Sequence, residues 1–237
     1  MFMTLTAADS QMGIGVNFAN SEEDQPRVLK CVLVGDAAVG KTSLIVSYTT
    51  NSWNKRYVPT AFDNYSVLVQ VDHKPIRLEL SDTAGQSEFD SLRPFSYPDS
   101  DVFLLCFNVM RPASLRSVTD HWLPEISKSS PNTPVILVGT HGDLRTNMDE
   151  LMQLARAGER PVPESKGRML AEELQGDYIE CSALTQHNLK EVFDRAIIVA
   201  LGGKMQKSVR SARASEKKTS SFTEGFRRLI SMTKKFL

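Results

Sequence analysis

The chain has 237 residues, 41% of them hydrophobic, and 28 basic side chains balance 28 acidic ones to a formal net charge of zero. That suggests one ordinary domain with a packed core and tails. No run approaches the roughly 18 uninterrupted apolar residues of a membrane-spanning helix, and the N-terminus lacks the charged start and apolar run of a signal peptide.

The charge is unevenly spread. Residues 1–26 carry four acids and no Lys or Arg, whereas residues 203–237 carry ten bases and two acids. A basic tail on a mildly acidic body points to an anionic partner for the tail. Residues 1–26 show no clean period and read as a disordered extension; 27–202 read as the folded domain. Cys31, Cys106 and Cys181 each lie in or beside an apolar run, without disulfide or zinc spacing. They read as buried free thiols in a reducing, intracellular setting.

In chain order, strands are predicted at Val28–Val34, Tyr65–Val71, Ile76–Leu80, Val102–Val109, Pro134–Gly139 and Tyr178–Cys181. Helices are predicted at Lys41–Thr50, Ser114–Lys128, Pro163–Leu174 and Asn188–Leu201. The alternation implies an α/β fold with a largely parallel sheet covered on both faces. Asp72-His73-Lys74 reads as a hairpin, which makes one edge strand antiparallel.

Residues 35–42 read Gly-Asp-Ala-Ala-Val-Gly-Lys-Thr, the G-x-x-x-x-G-K-[ST] pattern between a strand and a helix. Its glycines let backbone N–H groups curl around phosphate oxygens, and the helix N-terminus adds partial positive charge. Gly35, Ala37, Ala38, Val39, Gly40, Lys41, Thr42 and Ser43 are the candidate phosphate contacts. Lys41 is expected to reach the β- and γ-phosphates, and Thr42 to bind Mg2+. Further on, residues 82–86 read Asp-Thr-Ala-Gly-Gln after a strand. Asp82 can hold the ion through water, Gly85 can offer an N–H to the γ-phosphate, and Gln86 can orient an attacking water.

With these motifs, residues 28–200 resemble the Rho family of Ras-like GTPases. Tyr57-Val58-Pro59-Thr60-Ala61-Phe62-Asp63-Asn64-Tyr65 looks like the first switch, and Leu92-Arg93-Pro94 with Ser96-Tyr97-Pro98 like the second. Ser-Tyr-Thr-Thr-Asn (47–51), Arg-Pro-Val-Pro-Glu (160–164) and Glu-Cys-Ser-Ala-Leu-Thr-Gln (180–186) are similar to the atypical Wrch/Chp subgroup. The resemblance implies a P-loop NTPase fold of the Ras-like G-domain kind. Its sheet would be six-stranded and mostly parallel, with helices on both faces and a Rho insert helix at Asn147–Gly158. It implies GTP/GDP and Mg2+ as ligands, with Thr60 on the metal and γ-phosphate and Tyr57 over the phosphates.

The same resemblance places guanine recognition at Thr140-His141-Gly142-Asp143 and at Ser182-Ala183-Leu184. Asp143 can accept from the N1–H and the 2-amino group of guanine, a pair that adenine does not offer. His141 stands where the family has a lysine whose stem covers the base; an imidazole could stack there. Trp53 stands where a phenylalanine usually meets the guanine edge. Ala37 replaces the family's usual glycine and adds a methyl where the glutamine and the arginine of a GTPase-activating protein must pack. Slow hydrolysis and a GTP-biased resting state are expected.

Effector proteins, such as p21-activated kinases, are expected at Phe62, Asp63, Tyr65, Phe89 and Leu92, with Phe95 beside them; exchange factors and GTPase-activating proteins are expected regulators. Ser81 replaces an aromatic often found before the switch aspartate. No nucleic-acid partner is expected. The chain ends Lys-Lys-Phe-Leu without a cysteine after Cys181, so neither a prenylation box nor tail palmitoylation is expected. At about 100° per residue, Phe222, Phe226, Leu229, Ile230, Phe236 and Leu237 fall within roughly 120° of arc, opposite Arg227, Arg228, Lys234 and Lys235. That reads as an interfacial helix on anionic lipid, and hence as a cytoplasmic protein peripheral at plasma or endosomal membrane. A calmodulin-type target helix and a segment docking on the G domain are the rival readings. The expected function is a GTPase switch in cytoskeletal, adhesion or polarity signalling; the alternative is a constitutively GTP-bound scaffold with negligible hydrolysis.

Overall fold

A computed structural model describes residues 26–51 and 62–212, with side chains through Gly202. The expected N-terminal extension, Trp53, Tyr57, Thr60 and the tail from residue 213 lie outside the described residues.

The strands are β1 (Arg27–Val34), β2 (Phe62–Val71), β3 (Lys74–Thr83), β4 (Val102–Asn108), β5 (Val135–Thr140) and β6 (Asp177–Glu180). The helices are α1 (Lys41–Thr50), α2 (Pro112–Ser117), α3 (Leu123–Ser129), α4 (Met148–Arg156), α5 (Glu164–Glu173) and α6 (Leu189–Ala212). One six-stranded sheet runs β2-β3-β1-β4-β5-β6. Among the described residues, only the β2–β3 pair is antiparallel. Asp72 and His73 both take positive φ (51° and 61°), the backbone of a type I′ turn, whose twist matches that of the flanking strands.

The period of two in the strands builds two cores. Leu29, Cys31 and Leu33 of β1 join Leu104 and Cys106 of β4 beneath α1 and α6. Val32, Val34, Phe103, Leu105 and Phe107 face the other way, against Leu115, Trp122, Ile126 and Ala171. Every residue of β4 is buried, as a central strand covered on both faces requires. All three cysteines are free and buried. Desolvation pushes the Cys106 thiol up to about 12 and raises the other two as well. Since the thiolate is the reactive form, maleimide at neutral pH is expected to leave all three unlabelled until the protein unfolds. Rapid labelling of the native protein would contradict this packing.

One helix differs from expectation in its end, and another carries a local irregularity. The helix predicted at Ser114–Lys128 is present: α2, a π-turn at Val118–Trp122 and α3 run on continuously through right-handed helical backbone. The π-turn lies beside Pro124, which has no N–H to donate to the preceding turn. The last helix continues past Gly202 to Ala212, so the boundary drawn at 202/203 cuts a continuous element. Lys, Met, Gln, Arg and Ala after the Gly pair are good helix formers, which offsets a cost of about 1 kcal/mol per glycine. The insert expected at Asn147–Gly158 is helical as α4. The Asn147 side chain accepts from the N–H groups of Asp149 and Glu150 and so caps its start.

Candidate functional site

The carboxyl ends of β1, β3 and β5 bring the motifs together at one edge of the sheet, where α/β folds bind ligands. The β1–α1 loop turns through positive φ at Gly35 (141°), Ala38 (58°) and Gly40 (96°). A Cβ at Gly35 would lie 2.2 Å from the Cys106 carbonyl oxygen, so no other residue fits. Gly40 ends the loop as the α1 N-cap and provides no side-chain cap, which leaves the first amides of the helix directed at the loop. Val39 is fully buried and anchors the loop. Lys41 is buried and its Nζ donates to the carbonyls of Gly35 (2.7 Å) and Asp36 (3.0 Å). Burial lowers its pKa, opposed by Cys106, Asp82 and Asp36. An ammonium arched over its own loop can neutralise phosphate charge there.

Thr42 and Asp82, 40 residues apart, meet directly: the threonine hydroxyl donates to Asp82 Oδ2 at 2.5 Å. A hydroxyl against a fully buried carboxylate is an all-oxygen donor set, which suits Mg2+. Gly85 rests on the phosphate loop. A Cβ there would stand 2.4 Å from the Ala37 nitrogen and 2.5 Å from the Gly35 oxygen. Half-buried Gln86 follows, in extended backbone.

The segments expected to read the base are also brought together. Thr140 donates to Val39 O (2.6 Å) or Phe107 O (3.0 Å), tying β5 to the phosphate loop. His141 sits in left-handed backbone (φ 62°), with its ring Cε1 3.1 Å from where a Gly40 Cβ would stand. Its Nδ1 lies 3.0 Å from the Thr140 hydroxyl oxygen. Because that hydroxyl proton is committed to a carbonyl, the oxygen accepts and the imidazole carries its proton on Nδ1. Burial pushes the His141 pKa down, partly opposed by Asp143, so the ring is neutral near pH 7. The imidazole therefore lies against the loop, as stacking requires. Half-buried Asp143 opens a turn at Gly142–Thr146. Gly142 N–H donates to Cys181 O (3.0 Å), and Ser47 of α1 donates to Ala183 O (2.8 Å). Ser182 is buried and Leu184 is half exposed. A cavity of ≈ 560 Å³ between the Gly142–Thr146 turn and Thr185–His187 shares Gly142 and Asp143 with the segment expected to read guanine.

On the outer surface, Phe62 is 48% exposed, Leu92 59% and Phe95 80%, apolar side chains open to solvent. Tyr65 and Phe89 are half-buried, and Asp63 is exposed. Ser81 is buried and donates across the hairpin to Asn64 Oδ1 at 2.8 Å, which takes up the space of an aromatic with a polar pair.

Sequence reasoning missed a polar cluster behind Gln86. Arg93 is buried and bonds to Ala84 O, Gln86 O, Asp90 and Glu125. Trp122 donates to Asp36 of the phosphate loop at 2.7 Å. These partners lie 32 and 86 positions apart, and no periodicity could have paired them.

Comparison with known proteins agrees with this geometry. The family model described as Ras family matches residues 30–201. The chain is similar to the Rho-related GTP-binding protein RhoV of Rattus norvegicus, 58% identical over 175 residues that cover 73% of this chain and 74% of that protein. The proteins of that name from Mus musculus and Homo sapiens are each 57% identical with the same coverage.

Proposed function

This chain belongs to the Ras family, among its Rho-related members, and from that premise we propose that it is a GTP-hydrolysing switch whose resting state is biased toward bound GTP. The family's activity, hydrolysis of GTP to GDP and phosphate in Rho-type signalling, is this chain's. The slow rate and the bias are the proposal. They rest chiefly on one observation: Gly85, the residue before Gln86, packs on the backbone of the loop at Ala37, which sets the residue that replaces glycine beside the segment carrying the glutamine.

In this reading GTP is bound by the N–H groups of residues 37–43, by Lys41, and by Asp143 with the 182–184 loop. Thr42, Asp82 and Thr60 hold Mg2+, which when bound neutralises charge on the β- and γ-phosphates. Trp53 stacks on the guanine edge and Tyr57 closes over the phosphates. Gln86 orients the attacking water, Gly85 N–H and Lys41 stabilise the charge that develops on the γ-phosphoryl oxygens, and release of that group frees both switches. Phe62, Asp63, Tyr65, Phe89 and Leu92 receive effectors, p21-activated kinases among them; GTPase-activating proteins and exchange factors act on the same switches. The tail lies on anionic membrane through its amphipathic stretch, at the plasma or endosomal membrane.

The purified protein is expected to hold more GTP than GDP and to turn over slowly in single-turnover assays with Mg2+. Stoichiometric GDP, with a full response to a Rho GTPase-activating protein, would overturn the bias while leaving the switch in place. Hydrolysis indistinguishable from the uncatalysed background would instead support the constitutively GTP-bound scaffold, which Ala37 favours and Gln86 disfavours.

A further inference from the structure

Gln86 is held from behind by a cluster that the nucleotide motifs do not include. The Arg93 guanidinium lies in the protein with 4% of the residue exposed. Its Nε donates to Ala84 O (2.7 Å), and Nη2 donates to Gln86 O (3.0 Å) and Asp90 Oδ1 (2.7 Å). Its Nη1 donates to Glu125 Oε2 (2.7 Å), and its central carbon lies 4.4 Å from the Trp122 ring centroid. One side chain thus grips the carbonyls on both sides of Gly85 and ties them to α3.

That grip has a direct consequence at the phosphate side. In a trans peptide the C=O and the next N–H point in opposite directions. Holding Ala84 O from behind therefore aims the Gly85 N–H forward, toward the phosphate loop. Holding Gln86 O fixes the plane from which the Gln86 side chain is offered.

Beside this grip stands His121, with its side chain 43% exposed. Its Nε2 lies 3.6 Å from Glu125 Oε2 and 3.8 Å from Asp90 Oδ1, the same two oxygens that Arg93 holds. Its ring also meets Trp122 edge-on. The charged groups facing it are therefore Asp90 from the switch segment and Glu125 from α3, with Arg93 between them. Two carboxylates against one guanidinium leave one negative charge, and a charged imidazole would cancel it. A divalent metal on these three residues is disfavoured, since Arg93 already holds both oxygens and Tyr97 donates to Glu125 Oε1. At 3.6–3.8 Å the imidazole is beyond hydrogen-bond length, so the contact has room to close when the ring gains a proton.

We propose that Arg93 is a positioning residue for Gly85 and Gln86, and that the charge on His121 sets how firmly the Asp90–Arg93–Glu125 cluster holds them. This deepens the reading above and rests on it, because Gln86 must act on GTP for the grip to matter to rate. The sign follows from the geometry: a positive charge at position 121 draws Asp90 of the switch toward α3, so the hold is tightest when that side chain is charged.

The test compares single-turnover GTP hydrolysis by the full-chain variants His121→Lys and His121→Gln, each loaded to equal GTP, at one pH. His121→Lys, whose charge is fixed, is expected to hydrolyse about two- to fivefold faster than the neutral His121→Gln, the scale of a half-exposed ion pair. In an Asp90→Asn background the difference should vanish. Equal rates for the two variants, or a difference that survives Asp90→Asn, overturn the proposal. Amide exchange of residues 84–93 reads the same hold without hydrolysis: protection should be higher in His121→Lys than in His121→Gln. Should no variant load GTP, the nucleotide reading fails, and the exchange comparison still decides the cluster.

Discussion

Asp143→Asn is expected to lower GTP affinity by about a hundredfold or more and to move preference toward xanthosine triphosphate. A carboxylate accepts from the guanine N1–H and 2-amino group, and an amide offers a donor where an acceptor is needed. A site built for a hydrogen-bonding pair rejects a mismatched partner by large factors, because the buried groups are left unpaired. Xanthine carries a carbonyl in place of the 2-amino group, so it accepts from the asparagine N–H and restores the pair. The change should leave the fold intact, since Asp143 is half-buried in a turn held independently by Gly142 N–H on Cys181 O. Dissociation rates of fluorescent GTP and xanthosine nucleotides check it. An unchanged preference would mean that Asp143 does not read the base.

Ala37→Gly is expected to raise single-turnover hydrolysis with a Rho GTPase-activating protein by about 10- to 100-fold. An arginine finger supplies about 10³–10⁵ in rate, and a misplacement of ~1 Å can cost about 100-fold. Gly85 packs on the backbone of half-buried Ala37, so a methyl at that position stands beside the segment that carries Gln86. The effect without the activating protein should be smaller, because only Gln86 then needs the space. Equal rates for the two proteins would show that the methyl is accommodated, and the proposed GTP bias would lose its support. The same variant also tests the link to the cluster behind Gln86. Asp36, the neighbour of Ala37, accepts from Trp122, whose ring carries Arg93.

Most of the fold was legible because its signals are local. Strands such as Val102–Asn108 are continuous apolar runs, and Asp72-His73 is a turn dipeptide. The helix at Ser114–Lys128 was legible from its pattern, and only its π-turn beside Pro124 was not. The end of α6 was misplaced because the glycines at 202 and 203 look like a stop, and only the good helix formers beyond them carry the helix on. Chemistry concentrated in short motifs was equally readable. Gly35 to Thr42, Asp82 to Gln86 and Thr140 to Asp143 are each a few residues long, and the physical need for Gly, Lys, Thr and Asp is met within each segment.

The sequence by itself therefore determined where the candidate phosphate, metal and base contacts lie along the chain, since each expected chemistry is carried by neighbours in sequence. Only the tertiary structure decided how they meet. Thr42 touches Asp82 because β1 and β3 are parallel neighbours; Gly85 rests on Ala37, and His141 lies against Gly40 with its tautomer set by Thr140. Arg93, Asp90, His121 and Glu125 come together only when the segment after β3 packs on α3. Charges some 30 residues apart have no mutual signature in a linear pattern. Their energies depend on distance and burial, which exist only once the chain has folded.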